Sequence, residues 1–150
     1  MRTRWMVVGL IAVGLGLAGC SGGSDGAGAA VDTSAASVVQ DMPGTDVKQV
    51  TLTAQAAQRL GIQTVTVGGS APAFVVPYAA VMYAPDGSTW VYTVRQPLTY
   101  VREKVAVQVV RGAKGDEAVL SQAPPAGTTI VSTGVVELYG TELGIGSVTE

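Results

Sequence analysis

From Val47 onward the sequence predicts a mainly β fold, a small β-barrel or β-sandwich of about seven short strands with one short helix. Three observations carry this. The stretch is rich in Val and Thr, β-branched residues that suit a pleated surface. Pro85-Asp86-Gly87 sits between two apolar runs, the chemistry of a hairpin turn. Thr99 to Arg111 alternates, with Val101, Val105, Val107 and Val109 on one face and Arg102, Lys104 and Gln108 on the other.

The elements follow in order. Val47 to Leu52 reads as a strand. Thr53 to Leu60 reads as a helix: Thr53 is an N-cap, Ala54, Ala56 and Ala57 favour helix, and Gly61 stops it. Ile62 to Val67 alternates as a strand and closes at Gly68-Gly69. Phe74 to Val76 is apolar and ends at Pro77. Ala79 to Ala84 and Ser88 to Arg95 form the hairpin arms. In the second arm Trp90, Tyr92 and Val94 share one face, and Thr89, Val91, Thr93 and Arg95 share the other. Glu117 to Ser121 and Thr129 to Val136 are two further strands, separated by Pro124-Pro125-Ala126-Gly127.

The amino-terminal third has a different character. Arg2 and Arg4 precede an uncharged apolar run from Trp5 to Leu17, too short for the roughly 20 residues of a spanning helix and right for a signal peptide. The run ends in Leu17-Ala18-Gly19-Cys20, which resembles a bacterial lipobox. Residues 1–19 are therefore expected to be a lipoprotein signal peptide, cleaved between Gly19 and Cys20, with Cys20 lipidated. Residues 20–46 are poor in large apolar side chains and read as a flexible linker, with a weak helical turn around Ser34 to Gln40. Residues 47–150 make the folded domain. The expected location is the cell envelope, outside the cytoplasm, held at a membrane by the lipid.

Composition narrows the function. The 150 residues carry 9 basic and 11 acidic side chains, and only 13% are charged. That balance speaks against a nucleic-acid binder. There is no histidine, so the commonest general base and metal ligand are missing. The one cysteine is assigned to the lipid. A nucleophile–base pair would have to join Ser or Thr with Lys, and no Ser-x-x-Lys occurs. Asp86-Gly87 is explained by its turn. Asp116-Glu117 would point to opposite faces of a strand. Met42 and Met82 are too isolated for a soft-metal site. The expectation is a non-catalytic protein without cofactor or metal.

Arg95, Arg102, Lys104, Arg111 and Lys114 lie within twenty residues that hold one acid, Glu103. Two readings compete. The cluster is the wetted face of a sheet, or Arg102, Lys104 and Arg111 form a patch that meets a membrane partner.

Several segments carry a family resemblance. Val50-Thr51-Leu52-Thr53 and Leu60-Gly61-Ile62-Gln63-Thr64 resemble the opening of the membrane-proximal domain of periplasmic adaptor (membrane fusion) proteins of RND and ABC efflux systems. Val76-Pro77-Tyr78-Ala79-Ala80-Val81 is similar to the next strand of that domain. Tyr83 to Val94 resembles its hairpin, Arg102 to Gly112 the following strand, and Pro125 to Val131 a later turn and strand. The resemblance covers about Val47 to Gly146. The adaptor barrel, lipoyl and helical-hairpin domains have no counterpart, since only Gly68 to Pro72 stands at their junction. It implies an adaptor-like module for an efflux transporter or another envelope complex, with an RND-type or ABC-type transporter as partner. The alternative is a lipoprotein that binds a small ligand, a lipid, peptide or drug.

Overall fold

The computed structural model describes residues 35–145. The expected signal peptide, Gly19, Cys20 and the front of the linker lie outside the described residues. The described chain is mainly β, as the sequence predicts, and its principal sheet curls into a barrel. Ten strands occur among the described residues: β1 (Ser37–Asp41), β2 (Lys48–Leu52), β3 (Gln63–Thr66), β4 (Gly68–Ser70), β5 (Ala73–Pro77), β6 (Met82–Tyr83), β7 (Thr89–Gln96), β8 (Thr99–Arg111), β9 (Glu117–Gln122) and β10 (Thr129–Thr133). Two helices join them, α1 (Ala54–Arg59) and α2 (Val135–Glu142), with a 3-10 turn at Tyr78–Ala80.

The sheet runs β3-β10-β7-β8-β9-β5-β4. Its two ends are the same piece of chain, because only Val67 separates β3 from β4. Val67 itself pairs with the start of β10: its N–H donates to the Thr128 carbonyl at 2.9 Å, and its carbonyl accepts from Gly127 N at 2.9 Å. One bent strand thus lies against β10 with its first half and against β5 with its second, and the ring closes. The continuity of β3 with β4 removes the two open edges that the ends of this strand order would present in a flat sheet.

Strand alternation sends neighbouring side chains into two separate cores. Val91 and Ile130 point into the barrel with Val67, Val76, Val105, Ala118 and Leu120. Their sequence neighbours Tyr92 and Val131 point outward, into a second core with Val50, Leu52, Tyr100 and Leu138. The two faces read from the sequence of β7 are therefore both buried, which explains its run of buried residues.

The outer core is covered by α1 and α2. Thr53 caps α1 as predicted, its hydroxyl accepting from Ala56 N at 3.1 Å, and Ala56 and Ala57 are the buried positions. The β6–β7 turn also matches: Ala84 N donates to the Ser88 carbonyl at 2.8 Å, and Gly87 takes φ 81°.

Four expectations are corrected. The strand and helix count is higher than seven and one. Ala79–Ala84 is not one strand: Ala79 and Ala80 end the 3-10 turn, and only Met82 and Tyr83 are strand. The segment expected to be linker up to Asp46 contains β1, a strand in place of the expected helical turn. It pairs antiparallel with β2 from Ser37↔Leu52 to Asp41↔Lys48. Most of β1 is exposed, so main-chain bonding rather than burial holds it. The fourth correction is at the carboxyl side. Thr129 to Val136 is not one strand: β10 ends at Thr133 and α2 begins at Val135. Gly134 makes the break at φ 86°, and a Cβ there would collide with Ile62 Cδ1. At this φ any other side chain would be strained, and Ile62 would have to move to admit it.

A chain beginning at Asp46 should keep its fold, because neither core draws on β1. Losing the ladder should cost about 1–2 kcal/mol, seen as a melting point lowered by several degrees. A shortened chain whose circular dichroism has lost its β signal at 25 °C would contradict this division.

Candidate functional site

The outer face of β7 carries Trp90 and Tyr92, and β8 sets Lys104 opposite Trp90 and Arg102 opposite Tyr92. α2 crosses this face and adds Tyr139 and Glu142, one helical turn apart. The Glu142 side chain is 1% exposed. A buried carboxylate is costly unless it is paired and hydrogen-bonded. Glu142 receives three donors. The Tyr92 hydroxyl donates at 2.5 Å, Arg102 Nε at 2.8 Å, and the Lys48 backbone N–H at 3.2 Å. Arg102 Nη2 donates to the Asp46 carbonyl at 3.1 Å. The guanidinium also stands 4.6 Å from the Trp90 ring centre and 5.7 Å from that of Tyr139. No buried side-chain polar atom among the described residues lacks a partner.

Burial, and then the bond to Glu142, push the Tyr92 hydroxyl well above its ordinary value of 10.0. Burial pushes Tyr100 in the same direction. Both phenols are thus held in the neutral form.

A second network fixes Trp90 from its other end. Its Nε1 donates to Ser88 Oγ at 2.7 Å, and Ser88 Oγ donates to Asp86 Oδ1 at 2.6 Å. Ser88 N donates to the same oxygen at 2.9 Å. The bond from the Ser88 hydroxyl is the main reason the Asp86 carboxyl lies below the usual carboxylate range.

Trp90, Arg102 and Tyr139 form the floor of an open groove of about 570 Å³. One wall is the β1–β2 turn, Gly44 to Val47. The other is the β6–β7 turn, Ala84 to Ser88. Trp90, Arg102 and Tyr139 lie between them.

The basic residues singled out in the sequence do not form one patch. The wetted face expected for Arg102 is not where it lies. Its side chain is only 12% exposed and is paired with Glu142, which corrects that placement. Lys104 is exposed and 6.0 Å from the Trp90 ring centre. Arg111 sits seven residues farther along β8, roughly 20 Å away, and pairs with Glu117 at 3.1 Å. Arg95 pairs with Glu103 at 2.5 Å. The sequence does not single out the groove residues as a set. The turn signal at Pro85-Asp86-Gly87 points to one wall, but nothing local marks Glu142 as buried. Among the described residues no three His, Cys, Asp or Glu side chains gather as a metal ion would need, and no helix is long and apolar enough to cross a membrane.

No family model, no curated protein and no solved structure matches this chain.

Tyr92→Phe should cost about 1–3 kcal/mol near neutral pH, because Glu142 loses a donor it cannot replace with water. The pH dependence has a definite sign. A phenol with a raised folded value contributes stability in full below its unfolded value, and this is lost as pH rises through the folded one. Wild-type stability should therefore fall above about pH 10. The Phe variant should fall less steeply, with Tyr100 still contributing. Urea unfolding at about pH 8 and about pH 10.5 measures both slopes. Equal slopes would remove Tyr92 from the account.

Proposed function

We propose that this chain is a lipid-anchored, non-catalytic docking module of the cell envelope, adaptor-like in role, with an RND-type or ABC-type efflux transporter as its partner. The observation that carries the docking reading is the groove between the two turns. Its floor presents aromatic rings and a guanidinium whose charge is paired with Glu142 and whose Nε and Nη2 already donate hydrogen bonds. Such a floor is set to receive a surface rather than to activate a reacting group. The groove is partly open to solvent, whereas a small ligand is usually held in a more enclosed site. The partner class comes from the resemblance to the adaptor membrane-proximal domain.

The anchor supports the same role. Cys20 and Ser37 are separated by seventeen peptide steps, which limits the reach from lipid to β1 to about 60 Å. A module confined to that shell meets a membrane partner at high effective concentration, so modest affinity suffices.

Photo-crosslinking in intact cells tests this. A photoreactive side chain at Val47, in the groove wall, should capture an integral transporter identified by mass spectrometry. The same group at Gln108, on the exposed part of β8, should not. Cys20→Ala should move the protein to the soluble fraction and sharply reduce the capture. A Cys20→Ala protein that stays with the membrane after a salt wash would contradict the anchor. Identical captures from Val47 and Gln108 would contradict the groove.

A further inference from the structure

We propose that the groove receives a short extended segment of the partner bearing a Lys or Arg side chain, whose charge settles between the Asp46 and Asp86 carboxylates. This rests on the docking reading above and adds the chemistry of what docks.

Charge complementarity is the argument. Each wall contributes one exposed carboxylate, Asp46 from the β1–β2 turn and Asp86 from the β6–β7 turn. Neither belongs to any of the four ion pairs found among the described residues. Arg102 is the one cation among the residues lining the groove, and it is neutralised by Glu142. The groove lining thus keeps two carboxylates outside any ion pair, over a neutralised floor.

The floor suits the stem of a long basic side chain. Pro85, Trp90 and Tyr139 offer apolar surface, along which the methylenes of Lys or Arg can lie while the charged head reaches a carboxylate. The Trp90–Ser88–Asp86 bonds occupy Oδ1 of Asp86 and keep the ring and the carboxylate in place before anything binds. A site ordered in advance loses less entropy on binding. Both walls are turns, so the space is a short trough that suits a few residues of extended chain. Lys104 stands beside the site, outside the groove lining, where its charge acts on Asp86. It competes weakly with an incoming cation.

The test uses the full chain in detergent and two fluorescein-labelled nonapeptides. One has a central Arg flanked by leucines, and the other has Glu in its place. Fluorescence polarisation should show the Arg peptide binding at least about fivefold more tightly at low salt, with the difference shrinking as salt rises. Asp46→Asn with Asp86→Asn should remove most of that preference. The amide introduced at position 86 would still offer a side-chain oxygen to Ser88, and an unchanged melting point would show that the fold is intact. The single variant Asp46→Asn lies outside the Ser88 network and should remove about half of the preference on a logarithmic scale. Lys104→Gln should tighten the Arg peptide about twofold. Equal binding of the two peptides, or a double variant that retains the preference, would overturn the proposal. So would a stronger response to Glu than to Arg. A positive crosslink from Val47 alongside any of these failures would leave the docking role standing and discard only the basic segment.

Discussion

The structure turns on one buried carboxylate. Glu142 is where β2, β7, β8 and α2 meet: it binds the Lys48 amide, the Tyr92 hydroxyl and the Arg102 guanidinium at once. A lone ion in that place would cost several kcal/mol, and the three donors offset the cost only while all four elements hold their positions. The requirement runs in both directions. The elements position the charge, and the charge penalises any other arrangement of the elements. Arg102 then extends the constraint to the β1–β2 turn through the Asp46 carbonyl. It also lies against Trp90 and Tyr139. The groove floor is therefore the outer surface of the same contact that docks α2.

The barrel supplies the rigid wall behind this contact. Because alternate residues of β7 and β10 feed different cores, the pair Val91 and Tyr92 and the pair Ile130 and Val131 each tie the barrel interior to the outer layer. The layer cannot slide by one residue without reversing both sets. This is a small domain with two modest cores rather than one large one. Its outer core is completed by a polar cluster instead of more hydrocarbon.

Much of the fold was legible because its signals are local. Pro85-Asp86-Gly87 specifies a turn within three residues. Thr53 and Gly61 bracket α1, and the two faces of β7 follow from period two. What stayed hidden depends on distant partners. β1 has little apolar surface of its own and becomes a strand only because β2 offers a ladder. α2 opens with Val135 and Val136, which look like strand. Its buried stripe of Val135, Leu138 and Glu142 ends in a charged residue, so no apolar period showed. The positive cluster misled for the same reason. Arg102 and Glu142 are 40 residues apart, and no window of sequence shows that the two charges cancel. Of the groove, one wall was visible as a turn, while the floor and the other wall required the packing of α2 and β1.

A double-mutant cycle on Arg102 and Glu142 tests the central claim most directly. Arg102→Met and Glu142→Leu are each made alone and together, and unfolding free energies are measured in urea. If the buried pair organises the layer, each single change leaves a charge stranded and costs about 3–5 kcal/mol. The double change should then recover at least about 1.5 kcal/mol of the summed cost. Additivity within about 0.5 kcal/mol would show that the two side chains act independently, and would contradict the account.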